Sequence, residues 1–262
     1  MINILIIGKK SFIGQNVKKY LSNYFKVSNF SFEYVLAKKN IFFNKYTHII
    51  NTCIHKKYIE KKYNHKFDLD RKFISKFERV KFMYIFLNTR KIYFQKENIT
   101  EKSKISPIDN YASNKLNTEN FLKRKLKKNL ISLRISNIIG KRNIKSKRNH
   151  HKLFFDNFLS YRSRKHKIQI SDNFKDFITI NQFCIIIRKI ISLKITGIYN
   201  ISLSKKVYIS EMIRWLDRSF LDYIKFTKAN KNSFTLSNNK IKKKIKINPT
   251  KRQLMIFCKR LI

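Results

Sequence analysis

The sequence predicts a doubly wound α/β fold: a parallel sheet covered by helices, with a smaller C-terminal lobe. Three observations predict it. The apolar run Ile2-Asn-Ile-Leu-Ile-Ile7 ends on Gly8, the pattern of a strand buried on both faces. Strand-like apolar runs then alternate with helical spacing as far as Ser136. Finally, the chain of 262 residues keeps only four glycines, Gly8, Gly14, Gly140 and Gly197. Average usage would give about eighteen, so those kept should mark places where the backbone tolerates no Cβ.

The elements follow in order. Residues 2–7 read as the first strand. From Gly14 to Tyr24 the spacing turns helical, with Val17, Tyr20 and Leu21 on one side. Apolar strands are predicted at Thr47–Asn51 and Met83–Asn88, a long helix over 111–128, and a strand over Ile131–Ser136. Beyond Gly140 the pattern loosens. Lys141–His151 reads as a polar, basic loop, Phe177–Ile191 as a strand running into a helix, and Ser210–Phe220 as a further helix. The expected division is a sheet domain over residues 1–137, rejoined near 176–192, and a smaller lobe over 138–262.

Composition narrows the class. Hydrophobic residues make up 43% of the chain, enough for a sizeable core and too many for a disordered polyelectrolyte. No apolar run reaches the roughly 18 residues of a spanning helix. The first residues carry neither a basic leader nor a small-residue cleavage site, so no signal peptide is expected. Cys53, Cys184 and Cys258 are far apart and odd in number, which predicts no disulfide framework and a reducing cytoplasm. Lys and Arg total 60 against 15 Asp and Glu, a formal charge of +45. A nucleic-acid footprint should gather on one face. Here lysine is spread through every segment, which reads as compositional bias filling solvated positions. No specific nucleic-acid partner is expected.

Gly8-Lys-Lys-Ser11-Phe12-Ile13-Gly14 joins a buried strand to a helix, the context required of a dinucleotide-binding turn. Gly8 permits the tight turn, Gly14 lets the helix pack closely on the sheet, and the helix N-terminus offers N–H groups to a pyrophosphate. A plain strand-turn-helix would look similar. Ser11 stands where a third glycine would allow closer backbone approach. At the end of the expected second strand stand Ser28 and Asn29 and no acid, which leaves NAD and NADP both open.

Tyr111-Ala-Ser-Asn-Lys115 sets a phenol and an ammonium four residues apart on one helix face. A phenol titrates near 10, and a fixed cation nearby would lower that value and make it a usable acid/base. With 13 Tyr and abundant Lys the spacing also arises by chance. Its position adds weight: the helix follows Pro107, and Thr89 ends an apolar strand upstream, at the carboxyl edge where open α/β sheets bind ligands.

These residues resemble a known family. Gly8-x-x-Ser11-x-x-Gly14, Asn88-Thr89-Arg90-Lys91-Ile92-Tyr93 and Tyr111-x-x-x-Lys115 are similar to the extended short-chain dehydrogenase/reductases, in their nucleotide-sugar epimerase, dehydratase and reductase branch. The similarity runs on through Leu133-Arg134-Ile-Ser-Asn137-Ile-Ile-Gly140, Lys175-Asp176-Phe177-Ile178, Gly197-Ile-Tyr-Asn200 and the stretch from Ser237 to Pro249. The resemblance implies a Rossmann-like fold and an NAD or NADP cofactor held by Gly8, Ser11, Phe12, Ile13, Gly14, Asn51 and Lys115. It implies Tyr111 as general acid/base and Lys115 as the cation that lowers its pKa and holds the nicotinamide ribose. Thr89 would bond the reacting sugar oxygen. Asn137 would lie against the substrate diphosphate, with Lys175 in place of the usual arginine. Dehydratases of this branch carry an acid pair just after the Thr, where this chain has Arg90 and Lys91, so dehydration is disfavoured.

The expected activity is reduction of a 4-keto group on a nucleotide-linked sugar, or epimerisation through a keto intermediate, as in polysaccharide biosynthesis. A homodimer is compatible with it. The alternative is a non-catalytic basic Rossmann-like protein that binds nucleic acid or another polyanion. Asn51-Thr52-Cys53 resembles the family's cofactor-contacting strand end, with Cys53 as a small buried filler. His150-His151 lacks ligands at metal spacing and no Gly-x-Ser-x-Gly elbow occurs, so neither a metal centre nor a serine hydrolase is expected. Lys242-Lys243-Lys244-Ile245-Lys246 reads as a solvated helix face, and Trp215 as core packing.

Overall fold

The structure is a computed structural model that describes residues 1–142, 154–163, 167–227 and 233–261. It divides into two compact units. The first comprises Met1–Phe94, Lys104–Arg134 and Cys184–Tyr199, and the second Gln95–Ser103, Ile135–Phe183 and Asn200–Ile262.

The chain opens with β1 (Asn3–Ile7), whose Ile4–Ile7 are wholly buried, and turns at Gly8 into α1 (Phe12–Leu21). Then come β2 (Lys26–Phe30), α2 (Phe32–Leu36), β3 (His48–Asn51), α3 (Lys56–Glu60), α4 (Leu69–Ile74), β4 (Met83–Thr89), α5 (Asn110–Leu126) and β5 (Leu130–Ile135). They are followed by β6 (Asn137–Ile139), α6 (Phe154–Arg162), β7 (Ile168–Ser171), β8 (Phe174–Lys175), β9 (Phe177–Thr179), α7 (Ile180–Ser192) and β10 (Gly197–Ile201). The remainder is β11 (Val207–Tyr208), α8 (Ile209–Leu216), β12 (Ile224–Thr227), α9 (Asn239–Ile245) and α10 (Lys251–Lys259).

The central sheet has six strands in the order β10-β5-β4-β3-β1-β2. β1 pairs in parallel with β2 on one side and β3 on the other, and β3 with β4. The chain thus starts mid-sheet, winds outward to β2, then crosses back to β3. That reversal falls at the carboxyl ends of β1 and β3, the place where doubly wound sheets bind ligands. The predicted Rossmann-like α/β class is the fold found.

Strand composition explains the layering. His48–Asn51 of β3 and Leu130–Ile135 of β5 are buried throughout, as strands covered on both faces must be, whereas edge strand β2 (Lys-Val-Ser-Asn-Phe) has no fully buried residue. One core is built largely of aromatics, with Phe43, Phe73, Phe77, Phe82, Tyr84 and Phe86 packed against Leu122 and Leu126 of α5. In the second unit, α8 and α10 bury Met212, Ile213, Leu254 and Cys258 with Phe155 and Phe158 of α6, and Trp215 packs against this cluster half-buried. Three two-stranded sheets brace this unit: β6 with β9 and β7 with β12 in parallel, and β8 with β11 antiparallel. The lysines at 242–244 are exposed on α9, while Ile241 and Ile245 are buried beneath them. Among the described residues no helix is long and apolar enough to cross a membrane. His150 and His151 lie outside the described residues.

Candidate active site

The turn after β1 is built around two absent side chains. Gly8 has φ +128°, and a Cβ there would fall 2.2 Å from Thr52 Oγ1. At Gly14 a Cβ would fall 2.6 Å from the Gly8 carbonyl oxygen and 2.7 Å from Thr52 Oγ1. Thr52, just past β3, donates its hydroxyl to Ile7 O at 2.8 Å and fills the space the glycines leave. Gly8 N and Lys9 N both donate to Phe30 O, tying the turn to the end of β2. That strand runs one residue beyond the Ser28-Asn29 pair, and Ser31 follows as the cap of α2. Ser11 caps α1, its hydroxyl accepting from Gly14 N at 3.2 Å, so one N–H of the first turn is used internally. No acidic residue lies in that turn, so the positive end of α1 is unopposed and fits an anionic pyrophosphate.

Thr89 ends β4 and caps the 3₁₀ turn Arg90–Ile92, accepting from Lys91 N at 3.3 Å. Its own N–H donates to the Asn88 side-chain oxygen at 2.7 Å. Lys91 then joins this turn to the start of α5. Its ammonium bonds Asp109, the α5 cap, at 2.7 Å and stands 6.0 Å from the Tyr111 ring, while its carbonyl accepts from Ile108 N at 3.2 Å. Lys91 therefore touches Thr89 through its amide and the start of the Tyr111 helix through its ammonium. Arg90 is buried, which lowers its pKa to about 10, and Asp109 opposes that fall. It keeps its charge at neutral pH.

Tyr111 and Lys115 share a face of α5, as their spacing requires, but the cation faces another carboxylate. Lys115 is buried, with its ammonium 3.9 Å from Asp70 Oδ2 of α4 and 4.5 Å from the Phe86 ring centre. Asp70 Oδ1 accepts from Tyr84 OH at 2.7 Å and from Asn51 Nδ2 at 3.1 Å. Burial raises the pKa of Asp70 and Lys115 offsets it; burial lowers that of Lys115 and Asp70 offsets that in turn. The helical spacing alone predicts that Lys115 lowers the phenol's pKa. Instead Tyr111 lies well above the ordinary tyrosine value, because it is desolvated and faces the negative charges of Asp109 and Asp70.

Asn51, read as a cofactor contact, bonds Asp70 and both the N–H and the carbonyl of Cys53. Cys53 is half-buried and its thiol is pushed up to about 12 by burial, which suits a filler and not a nucleophile. In the second unit, Asn137 and Lys175 are brought to one place by Asp176: Asn137 Nδ2 donates to Asp176 O at 3.1 Å, and Lys175 precedes it with its ammonium 5.9 Å from the Phe234 ring. Asp176 is buried, its oxygens accepting from the amides of Leu203, Ser204 and Leu236. Burial outweighs those bonds and raises its pKa to about 8. Among the described residues no three His, Cys, Asp or Glu side chains gather as metal ligands.

Sequence reasoning missed Asp70, Tyr84 and Asp68. Asp68 caps α4 and accepts from Thr118 Oγ1 of α5 at 2.6 Å. A usable signal was present: two acids in Phe67-Asp-Leu-Asp70, among only 15 in the chain.

The arrangement is that of a doubly wound α/β protein with a glycine turn after its first strand, a hydroxyl at the end of β4, and a phenol and a buried ammonium on α5. No protein-family model and no curated protein matches the sequence. Solved structures do match the fold over essentially the whole chain. A dTDP-glucose 4,6-dehydratase from Bacillus anthracis in complex with NAD is 14% identical, covers 100% of this chain and 96% of its own, and has a TM-score of 0.78. A UDP-N-acetylglucosamine 4-epimerase from Methanobrevibacter ruminantium, in complex with UDP-N-acetylmuramic acid, is 16% identical with coverages of 99% and 96% and a TM-score of 0.77. A dTDP-4-dehydrorhamnose reductase from Clostridium acetobutylicum is 16% identical, with 98% and 97% covered and a TM-score of 0.74. The chain has the fold of these nucleotide-sugar enzymes, the group whose motifs its sequence resembles.

Proposed function

We propose that the chain is an NAD(P)-dependent oxidoreductase or epimerase of the extended short-chain dehydrogenase type, acting on a nucleotide-linked sugar. The observation that supports this reading is that Lys91 links the turn capped by Thr89 to the start of the helix carrying Tyr111 and the buried Lys115. The turn from Gly8 to Gly14, Asn51 and Lys115 would hold the dinucleotide, and Asn137 with Lys175 the substrate diphosphate. Lys175 supplies charge without the two-pronged geometry of arginine. When bound, the nicotinamide supplies or takes up a hydride at the sugar carbon. Thr89 bonds the sugar oxygen, and Tyr111 moves the proton: its O–H bond breaks as the sugar O–H forms. Arg90 and Lys91 offer no acid for a leaving hydroxyl, which argues against dehydration.

Reduction needs Tyr111 to give up its proton, whereas epimerisation has to begin by taking one from the sugar hydroxyl, so the two reactions use the same phenol in opposite directions. Thermal shift with NAD, NADP and a panel of nucleotide sugars selects the ligands. With them, stoichiometric NADPH consumption marks a reductase, and retained cofactor without net absorbance change an epimerase. Tyr111→Phe is expected to lower turnover by at least about 100-fold while leaving cofactor affinity nearly intact. Full activity in that variant, or steeply salt-dependent polyanion binding indifferent to it, would instead favour the non-catalytic basic protein.

A further inference from the structure

We propose that Asp70 is a positioning residue for Lys115: a buried carboxylate, locked by Asn51 and Tyr84, that keeps the ammonium charged and draws it against Phe86. The inference rests on the reading of Tyr111 and Lys115 given above, and adds a residue that reading does not use.

The geometry is specific. Both side chains are 7% exposed, so the pair is shielded from solvent, yet at 3.9 Å it is an ion pair without a direct hydrogen bond. Asp70 has committed its other oxygen to Tyr84 and Asn51, two donors from the neighbouring strands β4 and β3. These bonds fix the carboxylate, and the fixed carboxylate sets where the flexible lysine ends. The ammonium lies over Phe86 at 4.5 Å and within 5.8 Å of the Tyr58 ring. Tyr58 of α3 is itself held by Thr118 at 2.6 Å.

Few other charges face the site. From α4 there are Asp68 and Asp70, from α3 Tyr58, from β4 Tyr84, and after β3 the neutral Cys53. The 3₁₀ turn beside α5 adds Arg90 and Lys91, with Lys91 neutralised by Asp109. One turn further along α5, Glu119 is neutralised by Arg134. Asp70 is therefore the main counter-charge to Lys115. While it is ionised it adds to the burial and the Asp109 charge that hold the proton on Tyr111.

The test needs neither cofactor nor sugar. Lysine labelled with 13C at Cε is followed by NMR from pH 6 to 11 in the full chain, and Lys115 is assigned as the resonance missing from Lys115→Arg. In the wild type Lys115 should titrate below the bulk lysines. Asp70→Asn should lower its midpoint by a further one pH unit or about that, and Asp70→Glu should restore it. Tyr84→Phe, which removes one bond holding Asp70 ionised, should move it the same way by less, and serves if Asp70→Asn does not fold. An unmoved Lys115 midpoint in a folded Asp70→Asn or Tyr84→Phe protein overturns the proposal. Loss of the assigned roles of Tyr111 and Lys115 in turnover would instead show in the Tyr111→Phe assay, with this titration unchanged.

Discussion

Two buried ion pairs hang from α5 one turn apart, and they are built differently. Glu119 is saturated: its carboxylate meets Arg134 Nη2 at 2.5 Å and Nε at 3.2 Å, and also accepts from Ser132 at 2.6 Å and Asn88 at 2.7 Å. Arg134 in turn donates to Tyr93 OH at 2.7 Å. Burial alone would raise Glu119, but these bonds hold it below the usual carboxylate range and hold Arg134 above its own. Lys115 and Asp70 stand 3.9 Å apart, and burial moves each toward neutrality, Asp70 up and Lys115 down. A pair with every lone pair used is locked in one charge state. A pair held by charge alone, with an aromatic face behind it, can respond to a third charge, which is what a site for proton transfer requires. Glu119 also serves the site at one remove, because Asn88, which it holds, accepts the Thr89 N–H.

The sharpest way to break this comparison is to cut each pair on one side. Glu119→Ala leaves a buried guanidinium without its carboxylate, and removing one partner of such a pair typically costs about 3–5 kcal/mol. Urea unfolding of this variant should show the largest loss of any single substitution around α5, with Thr89 losing its support through Asn88. Lys115→Met should do the reverse. Its stability cost should stay under about 1.5 kcal/mol, because an apolar chain of similar length replaces the lysine and Asp70 can take up a proton instead of standing as a bare charge. Turnover should nevertheless fall as far as in Tyr111→Phe. Equal stability losses in the two variants would mean that the pairs differ in distance only.

The same contrast shows how far the sequence could be read. The turn was legible because Gly8 and Gly14 are constrained by local backbone: a Cβ at either would strike Thr52, and Gly8 has positive φ. Strand β1 and helix α5 were legible because a continuous apolar run and a fixed i, i+4 spacing are local signals. The target of Lys115 was not. Asp70 lies on α4, a helix of six residues, and α3 beside it has five, too short for periodicity to declare. The phenol's upward shift was equally hidden, since the charges that cause it arrive from the α5 cap and from α4 through tertiary packing. Arg90 and Lys91 were legible as two cations following the Thr, but only the folded chain shows Lys91 tying Thr89 to Asp109.

A third buried titratable group in the sheet has no ion partner at all among the described residues, and sharpens the comparison from the other side. His48 of β3 is 4% exposed; its Nδ1 lies 3.0 Å from Thr47 Oγ1, and its Nε2 has no hydrogen-bond partner among the described residues. Burial, with Lys194 adding to it, lowers its pKa from 6.5 to about 4. With the folded value below the unfolded one, the unfolded chain binds the proton first. Stability is therefore unaffected by His48 above about pH 6.5 and declines as the pH falls from 6.5 toward 4. The expected loss is about 3 kcal/mol across that window, at the lower end of the range for Glu119→Ala. Urea midpoints of the wild type and His48→Gln at pH 7, 6, 5 and 4 measure it, with the carboxylates common to both proteins cancelling in the difference. A difference that widens toward acid shows that an unpaired buried group follows desolvation alone. A constant difference would place a compensating anion at the imidazole, and would weaken the view that Lys115 needs Asp70 to remain charged in the same interior.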